Sequence, residues 1–359
     1  MELRPVLMII GALTAALGVS MFLPAIADGL SGNSDWIVFV AAGLFTTLAG
    51  AGAWAASTGG ARTLSTRQAF LLTAAIWIVL SFFGALPLFW SGLGLSFTDA
   101  LFESVSGLTT TGATVITRLD TSPPGLLLWR GLLQWFGGLG IVVMAIAVLP
   151  MLQVGGMQMF RAEAFDTPEK ILPRAAQIAS GMTSIYLVLT GFCVASYWAA
   201  GMNLFDAAVH GMTTVATGGF STRNGSIESY HSTAIDYIAV VFMILGSLPF
   251  LLYLQLIRGN PWSLLRDSQV RTFLAFLLVA AALIVGVQVL GAHHTGEEAV
   301  RHAIFSVTSV MTGTGYATID YGSWGPFSVA VFFIITFMGG CASSTSCGIK
   351  TFRLQVLYI

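Results

Sequence analysis

Charge is what this sequence has least of. Only 9% of its 359 residues are Asp, Glu, Lys or Arg, against about 25% in an average soluble domain. Fifteen cations and sixteen acids cannot coat the two or three soluble domains that a chain of this length would form, so most of its surface is expected to face lipid. A net charge of −1 leaves no basic face to neutralise phosphates, which excludes a nucleic-acid binder. Three cysteines without paired spacing exclude a disulfide scaffold. There is no Ser/His/Asp set, no carboxylate pair and no His-Glu-x-x-His, so nothing supports an enzyme or an organic cofactor. What the chain does have is 56% hydrophobic residues and 40 glycines, the composition of an all-α polytopic membrane protein with an unusual need for glycine.

A membrane-crossing helix takes roughly 20 apolar residues. Eight stretches qualify: Val6–Ala27, Trp36–Ala56, Gln68–Trp90, Leu126–Leu149, Ala175–Ala200, Tyr237–Ile257, Thr272–Leu290 and Phe327–Phe352. The first is too long for a cleaved signal h-region despite its Ala25-Ile26-Ala27, and is read as a retained helix. The connections Ser57–Arg67, Pro150–Arg174 and Arg258–Arg271, with the two ends, carry eleven of the fifteen cations. By the bias of Lys and Arg toward the cytoplasm, both termini are expected inside. Arg130 falls within a span.

Three outward connections are too long for simple loops. Phe97–Ser106 leads into Gly107-Leu-Thr-Thr-Thr-Gly-Ala-Thr114. Leu204–Thr213 leads into Thr214-Val-Ala-Thr-Gly-Gly-Phe-Ser221, and Val300–Ser309 into Val310-Met-Thr-Gly-Thr-Gly-Tyr-Ala-Thr318. Each is a short semi-apolar helix followed by a Thr/Gly strip. The steps Thr111-Gly112, Thr217-Gly218 and Thr314-Gly315 recur 106 and 97 residues apart. A period near 100 residues marks a repeated folding unit. It divides the chain into two leading helices (1–66) and three units of span, short helix, strip and span (67–160, 161–266 and 267–359).

Extended backbone at membrane depth is tolerated only where protein covers it or water lines it. Carbonyls along a narrow path replace the hydration shell of a cation, and glycine admits the required backbone angles. The strips contain no charge, which favours a monovalent ion over the carboxylate-bound Mg²⁺ or Ca²⁺. Each short helix should aim its negative C-terminal end at the path, with Asp99 and Asp206 near the opposite ends of two of them.

Ser106-Gly-Leu-Thr-Thr-Thr-Gly-Ala-Thr114, Ala216-Thr-Gly-Gly-Phe-Ser221, Trp129-Arg130-Gly-Leu-Leu-Gln-Trp-Phe-Gly-Gly138 and Gly339-Gly-Cys-Ala-Ser-Ser-Thr-Ser-Cys-Gly-Ile-Lys350 together resemble the Trk/Ktr/HKT superfamily of cation transporters, most closely its TrkH-type branch. The resemblance covers nearly the whole chain. It implies re-entrant pore loops around one pseudo-symmetric pore, with Thr110, Thr111, Gly112, Ala216, Thr217, Gly218, Gly313, Thr314 and Gly315 as the ion-binding filter. Glycine at all three filter positions implies K⁺ rather than Na⁺. It further implies an intramembrane gate at Gly339–Gly348, comprising Gly339, Gly340, Cys341, Ala342, Ser343, Ser344, Thr345 and Gly348. It also implies a homodimer in the bacterial inner membrane, working with a cytosolic nucleotide-binding regulatory subunit. The basic stretches Arg161–Arg174 and Arg258–Arg271 are available for that contact.

Three features depart from the family pattern. The third strip reads Thr312-Gly-Thr-Gly315 instead of Thr-Thr-Thr-Gly. Ser343, Ser346 and Cys347 stand where glycine or alanine is usual. The family has four repeats and this chain carries three, so a truncated version of a longer chain is expected, with a missing quarter supplied by another subunit as the alternative. A secondary cation carrier with a midplane site and a non-conducting truncated or regulatory subunit stay open as alternatives. Of the remaining polar residues, Arg130 is expected to pair with Glu103, and His210 to be a satisfied packing residue. His293-His294 with Glu297-Glu298 are expected to form a solvated loop.

Overall fold

The computed structural model describes residues 2–59, 64–147, 168–291 and 296–358. Among these residues the regular structure is helical, apart from short 3₁₀ turns and one isolated bridge between Met338 and Ile349. The chain divides into two compact units. One takes in Met1–Thr109, Ala113–Leu133 and Met144–Ala175; the other takes in Thr110–Gly112, Gln134–Val143 and Ala176–Ile359.

In the first unit, α1 (Arg4–Ser20) and α2 (Phe22–Leu30) follow one another almost without a break, and α3 (Trp36–Ala56) returns against α1. Their contact is close because it is lined with glycine. A Cβ on Gly11 would lie 2.6 Å from the Trp54 backbone nitrogen, and one on Gly18 would lie 2.5 Å from that of Thr47. Small residues of this kind let helix backbones approach in lipid, where no hydrophobic force drives helices together. Next come α4 (Thr66–Trp90) and the short α5 (Phe97–Leu108), which packs on it, and then α6 (Pro124–Ala147). Asp28 caps the start of α6, its Oδ1 accepting from Gly125 N at 2.6 Å. The Trp129 indole donates to the Gly84 carbonyl at 2.9 Å.

The second unit contains most of α7 (Pro168–Ala199), the short α8 (Leu204–Val215), α9 (Thr233–Ser247), α10 (Phe250–Ile257), α11 (Ser263–Arg266) and α12 (Ser268–Leu290). It continues through α13 (Gly296–Thr312), α14 (Pro326–Thr336) and α15 (Thr351–Tyr358). Five described stretches are long and apolar enough to cross a membrane: Arg4–Leu30, Trp36–Ala56, Arg67–Trp90, Gln177–Ala199 and Ser268–Leu290. The expected single span Tyr237–Ile257 is instead two helices, α9 and α10, bent by 91°. The break falls at Leu248-Pro249, where proline has no N–H to continue the helical ladder. The last expected span is likewise interrupted: α14 stops at Thr336 and α15 starts at Thr351. Of the expected connections, Arg62 in the first, most of Pro150–Arg174, and His293-His294 lie outside the described residues.

Candidate functional site

The helices α5 and α8 start alike. Ser96 Oγ accepts from Asp99 N at 3.1 Å and donates to Asp99 Oδ2 at 2.7 Å. In α8, Asn203 Oδ1 accepts from Asp206 N at 2.8 Å, and Nδ2 donates to Asp206 Oδ2 at 2.7 Å. Each cap serves a first-turn N–H that has no partner within the helix and holds a carboxylate at the positive helix end. The opposite, negative ends run directly into the Thr/Gly strips.

The strips share a backbone code. Thr110 and Gly112 have φ of 55° and 78°, Thr217 and Gly219 of 51° and 75°, and Gly313 and Gly315 of 75° and 80°; the residue between each pair is not left-handed. Hydrogen bonding agrees: Gly218 N reaches back to Thr213 O at 2.9 Å, and Thr314 N to Ser309 O at 2.9 Å. The true register therefore sets Gly219 beside Gly112 and Gly315, with spacings of 107 and 96 residues. Gly218 corresponds to Thr111 and Thr314. The Thr-Gly spacing is thus one residue out in the middle strip, because Gly218-Gly219 offers two alignments that differ only in backbone dihedrals. Left-handed threonines cost about 1–2 kcal/mol each, and Thr110 and Thr217 both adopt this conformation.

The second unit brings the strips together. A Cβ on Gly112 would strike the Gly218 carbonyl oxygen and lie 3.5 Å from that of Thr314, and one on Gly219 would strike the Thr314 carbonyl oxygen. At Gly315 a Cβ would meet no described atom within 4 Å. Hydroxyls back the strips. Tyr316 Oη lies 2.6 Å from Thr213 Oγ1 and 3.2 Å from Thr214 Oγ1, and Ser309 Oγ donates to Tyr316 O at 2.7 Å. A residue that spacing did not single out is Gln134 on α6, fully buried. Its Nε2 donates to Gly218 O at 2.5 Å, and its Oε1 accepts from Phe220 N at 2.9 Å. The available signal was an uncharged polar side chain in an apolar span.

In the first unit Glu103 and Arg130 form a buried ion pair, Nε to Oε1 at 2.7 Å, with side chains 0% and 1% exposed. Thr114 Oγ1 donates to Glu103 Oε1 at 2.9 Å and accepts from Arg130 Nη2 at 3.1 Å, while Val115 N donates to Glu103 Oε2 at 3.0 Å. One carboxylate thus ties α5, α6 and the chain leaving the first strip.

Between α14 and α15 the Gly339–Gly348 segment is tied to the strips. Thr345 Oγ1 donates within 3.0 Å of Val215 O and 2.9 Å of Gly246 O, and lies 3.3 Å from Thr217 Oγ1. Ser346 Oγ donates to Thr312 O at 2.7 Å, and Cys347 Sγ lies 3.7 Å from Thr110 Oγ1. Lys350 Nζ donates to the Ser346 carbonyl and to Ser344 Oγ. Gly340 N donates to Ser346 Oγ at 2.9 Å, Cys341 N to Ser247 O at 3.0 Å, and Ala342 N to Gln269 Oε1 at 3.1 Å. Phe250 N donates to the carbonyl of Ser343, which is itself left-handed at φ 56°. Gly339 N pairs with Ile349 O at 2.9 Å, closing the segment at its base.

Within α8, His210 is buried with Nδ1 2.8 Å from Asp206 O and Nε2 3.0 Å from Ser221 Oγ, so both ring nitrogens have partners. Burial alone would raise the Asp206 carboxyl, but hydrogen bonds from Thr222, Tyr230, Arg223 and Asn203 hold it below the usual carboxylate range. Arg223, bonded to Asp206 at 3.1 Å, is pushed upward in turn.

Residues 36–358 match the model of the TrkH family, described as cation transport protein. The Trk system potassium uptake protein TrkI of Halomonas elongata is 38% identical over 353 residues, 98% of this chain and 72% of that one. The Trk system potassium uptake protein TrkH of Escherichia coli K12 is 36% identical over 372 residues, 100% of this chain and 75% of that one. The crystal structure of the potassium transporter TrkH from Vibrio parahaemolyticus superimposes with a TM-score of 0.92 at 35% identity, covering 100% of this chain and 75% of that one. The chain therefore belongs to the TrkH family of cation transport proteins, which are multi-pass membrane transporters and not enzymes.

Proposed function

We propose that this chain takes up potassium across a bacterial cytoplasmic membrane. It crosses the membrane about eight times, with both termini inside and α5, α8 and α13 entering as re-entrant pore helices. The units 67–160, 161–266 and 267–359 surround one ion path after the leading helices of 1–66. K⁺ sheds water along the strips formed by Thr110, Thr111, Gly112, Ala216, Thr217, Gly218, Gly313, Thr314 and Gly315, now joined by Gly219. Neutral carbonyls suit a weakly held monovalent ion, because the ion must leave as readily as it enters. The partial negative charge at the ends of the three short helices adds attraction without a fixed carboxylate.

Gly339, Gly340, Cys341, Ala342, Ser343, Ser344, Thr345 and Gly348 form the gate. Its hydroxyls occupy carbonyls at the strip ends while it is closed. Arg130 and Glu103 brace the chain leaving the first strip at Thr114 and Val115. The working assembly is a homodimer with a cytosolic nucleotide-binding regulatory subunit, as the family resemblance implies.

The observation that carries this reading is the meeting of Gly112, Gly218, Gly219 and Thr314 from three separate hairpins. Rubidium uptake into potassium-uptake-deficient cells tests it. The native gene product restores uptake, and Gly112→Ser, whose Cβ would strike the Gly218 oxygen, lowers it at least about tenfold relative to Na⁺ uptake. A native protein that moves no rubidium overturns the proposal, and uptake unchanged by Gly112→Ser removes the first strip from the filter.

A further inference from the structure

We infer that Gln134 is a positioning residue for ion selectivity, aiming the second strip so that the Gly219 carbonyl, and not that of Gly218, faces the ion. The inference rests on the uptake reading above and goes further by naming the group that orients one filter carbonyl. Gln134 has no exposure to solvent, and both ends of its amide are used on the same strip. Nε2 donates to Gly218 O at 2.5 Å and Oε1 accepts from Phe220 N at 2.9 Å. Between those two anchors sits left-handed Gly219, with φ 75°.

The geometry follows from peptide planarity. No described peptide bond is cis, so the Gly219 C=O and the Phe220 N–H point in opposite directions. With that N–H held by Gln134, the Gly219 oxygen is turned away from the amide. The Gly218 oxygen points at the amide and is saturated by a donor. A side chain at position 218 would collide with the Gln134 amide carbon, so glycine there admits the glutamine. Glycine at 219 supplies the dihedral that reverses the next carbonyl. Without the amide, the two peptide planes lose their common brace and the ring of oxygens loses its fixed diameter.

Uptake of rubidium and of sodium by the full gene product in potassium-uptake-deficient cells reads this directly, since the ratio of the two is independent of how much protein reaches the membrane. Gln134→Met, similar in length but unable to hold either partner, is expected to lower the rubidium-to-sodium ratio about tenfold. Gln134→Glu, which keeps an acceptor for Phe220 but no donor for Gly218, is expected to lower it by less. It supplies the same reading if the methionine variant fails to accumulate. Trp135→Phe, which removes the 3.1 Å bond from the neighbouring indole to Thr190, is expected to leave the ratio unchanged. A native ratio in both Gln134 variants, or an equal fall in Trp135→Phe, overturns the inference while uptake itself stands. A native protein that transports nothing overturns both.

Discussion

Arg130 is a charge inside an apolar helix, and its setting explains how it is tolerated. The guanidinium and Glu103 are both withdrawn from solvent, 2.7 Å apart, with Thr114 and the Val115 N–H taking the remaining capacity of the carboxylate. Removing one member of such a pair leaves a buried charge unpaired, at a cost of about 3–5 kcal/mol. Arg130→Met is accordingly expected to lower the melting temperature of the detergent-solubilised protein sharply. Glu103→Gln, which keeps the hydrogen-bonding shape, is expected to lower it less. An Arg130→Met protein as stable as native would show that the pair is not what anchors the chain at Thr114 and Val115. The pairing was legible beforehand, since a lone cation in a span has few candidate partners and Glu103 sits on the neighbouring short helix. Gln134 was not: an amide carries no charge to betray its need for a partner, and its partners are main-chain atoms that leave no mark in a sequence.

At the level of elements, the three short helices with their strips could be read from the spacing of Thr and Gly, and the caps Ser96 and Asn203 follow from ordinary N-cap chemistry. The register of the middle strip could not, because adjacent glycines at 218 and 219 have identical side chains and differ only in φ. The right-angled break between α9 and α10 was hidden for another reason. Hydropathy runs unbroken through Leu248-Pro249, and the carbonyl that receives Phe250 N belongs to Ser343, far away in sequence. The segment between α14 and α15 was legible as a glycine- and serine-rich interruption, but not its attachments. Thr345 alone donates near two carbonyls, those of Val215 and Gly246. Net hydrogen-bond contributions of about 0.5–1.5 kcal/mol mean that Thr345→Val should shift a two-state gate by about tenfold toward open. The expected outcome is faster rubidium influx at unchanged rubidium-to-sodium ratio, and influx equal to or below native would contradict a latching role for this hydroxyl.

For the molecule as a whole, the distribution of charge carries a prediction about orientation. Arg258, Arg266 and Arg271 cluster around α11, whereas the connections bearing Asp206, Glu228, Asp320 and the acids of α13 are cation-poor. The bias of basic residues toward the cytoplasm then makes a definite prediction. Ser323→Cys in intact cells is expected to react with a membrane-impermeant thiol reagent, while Asn260→Cys is expected to react only after the cells are opened. The reverse pattern would invert the topology. Composition made the membrane setting plain, because 9% charge leaves no alternative solvent.

Thr345, Ser346 and Cys347 are consecutive, yet each touches a different hairpin, at Val215 and Thr217, at Thr312, and at Thr110 respectively. Displacing that tripeptide therefore disturbs all three hairpins together. Linkage is reciprocal: whatever occupancy of the strips does to the tripeptide, the tripeptide does to occupancy. Under the proposed uptake reading, a cation resident in the strips and the position of the tripeptide are thereby coupled, each biasing the other.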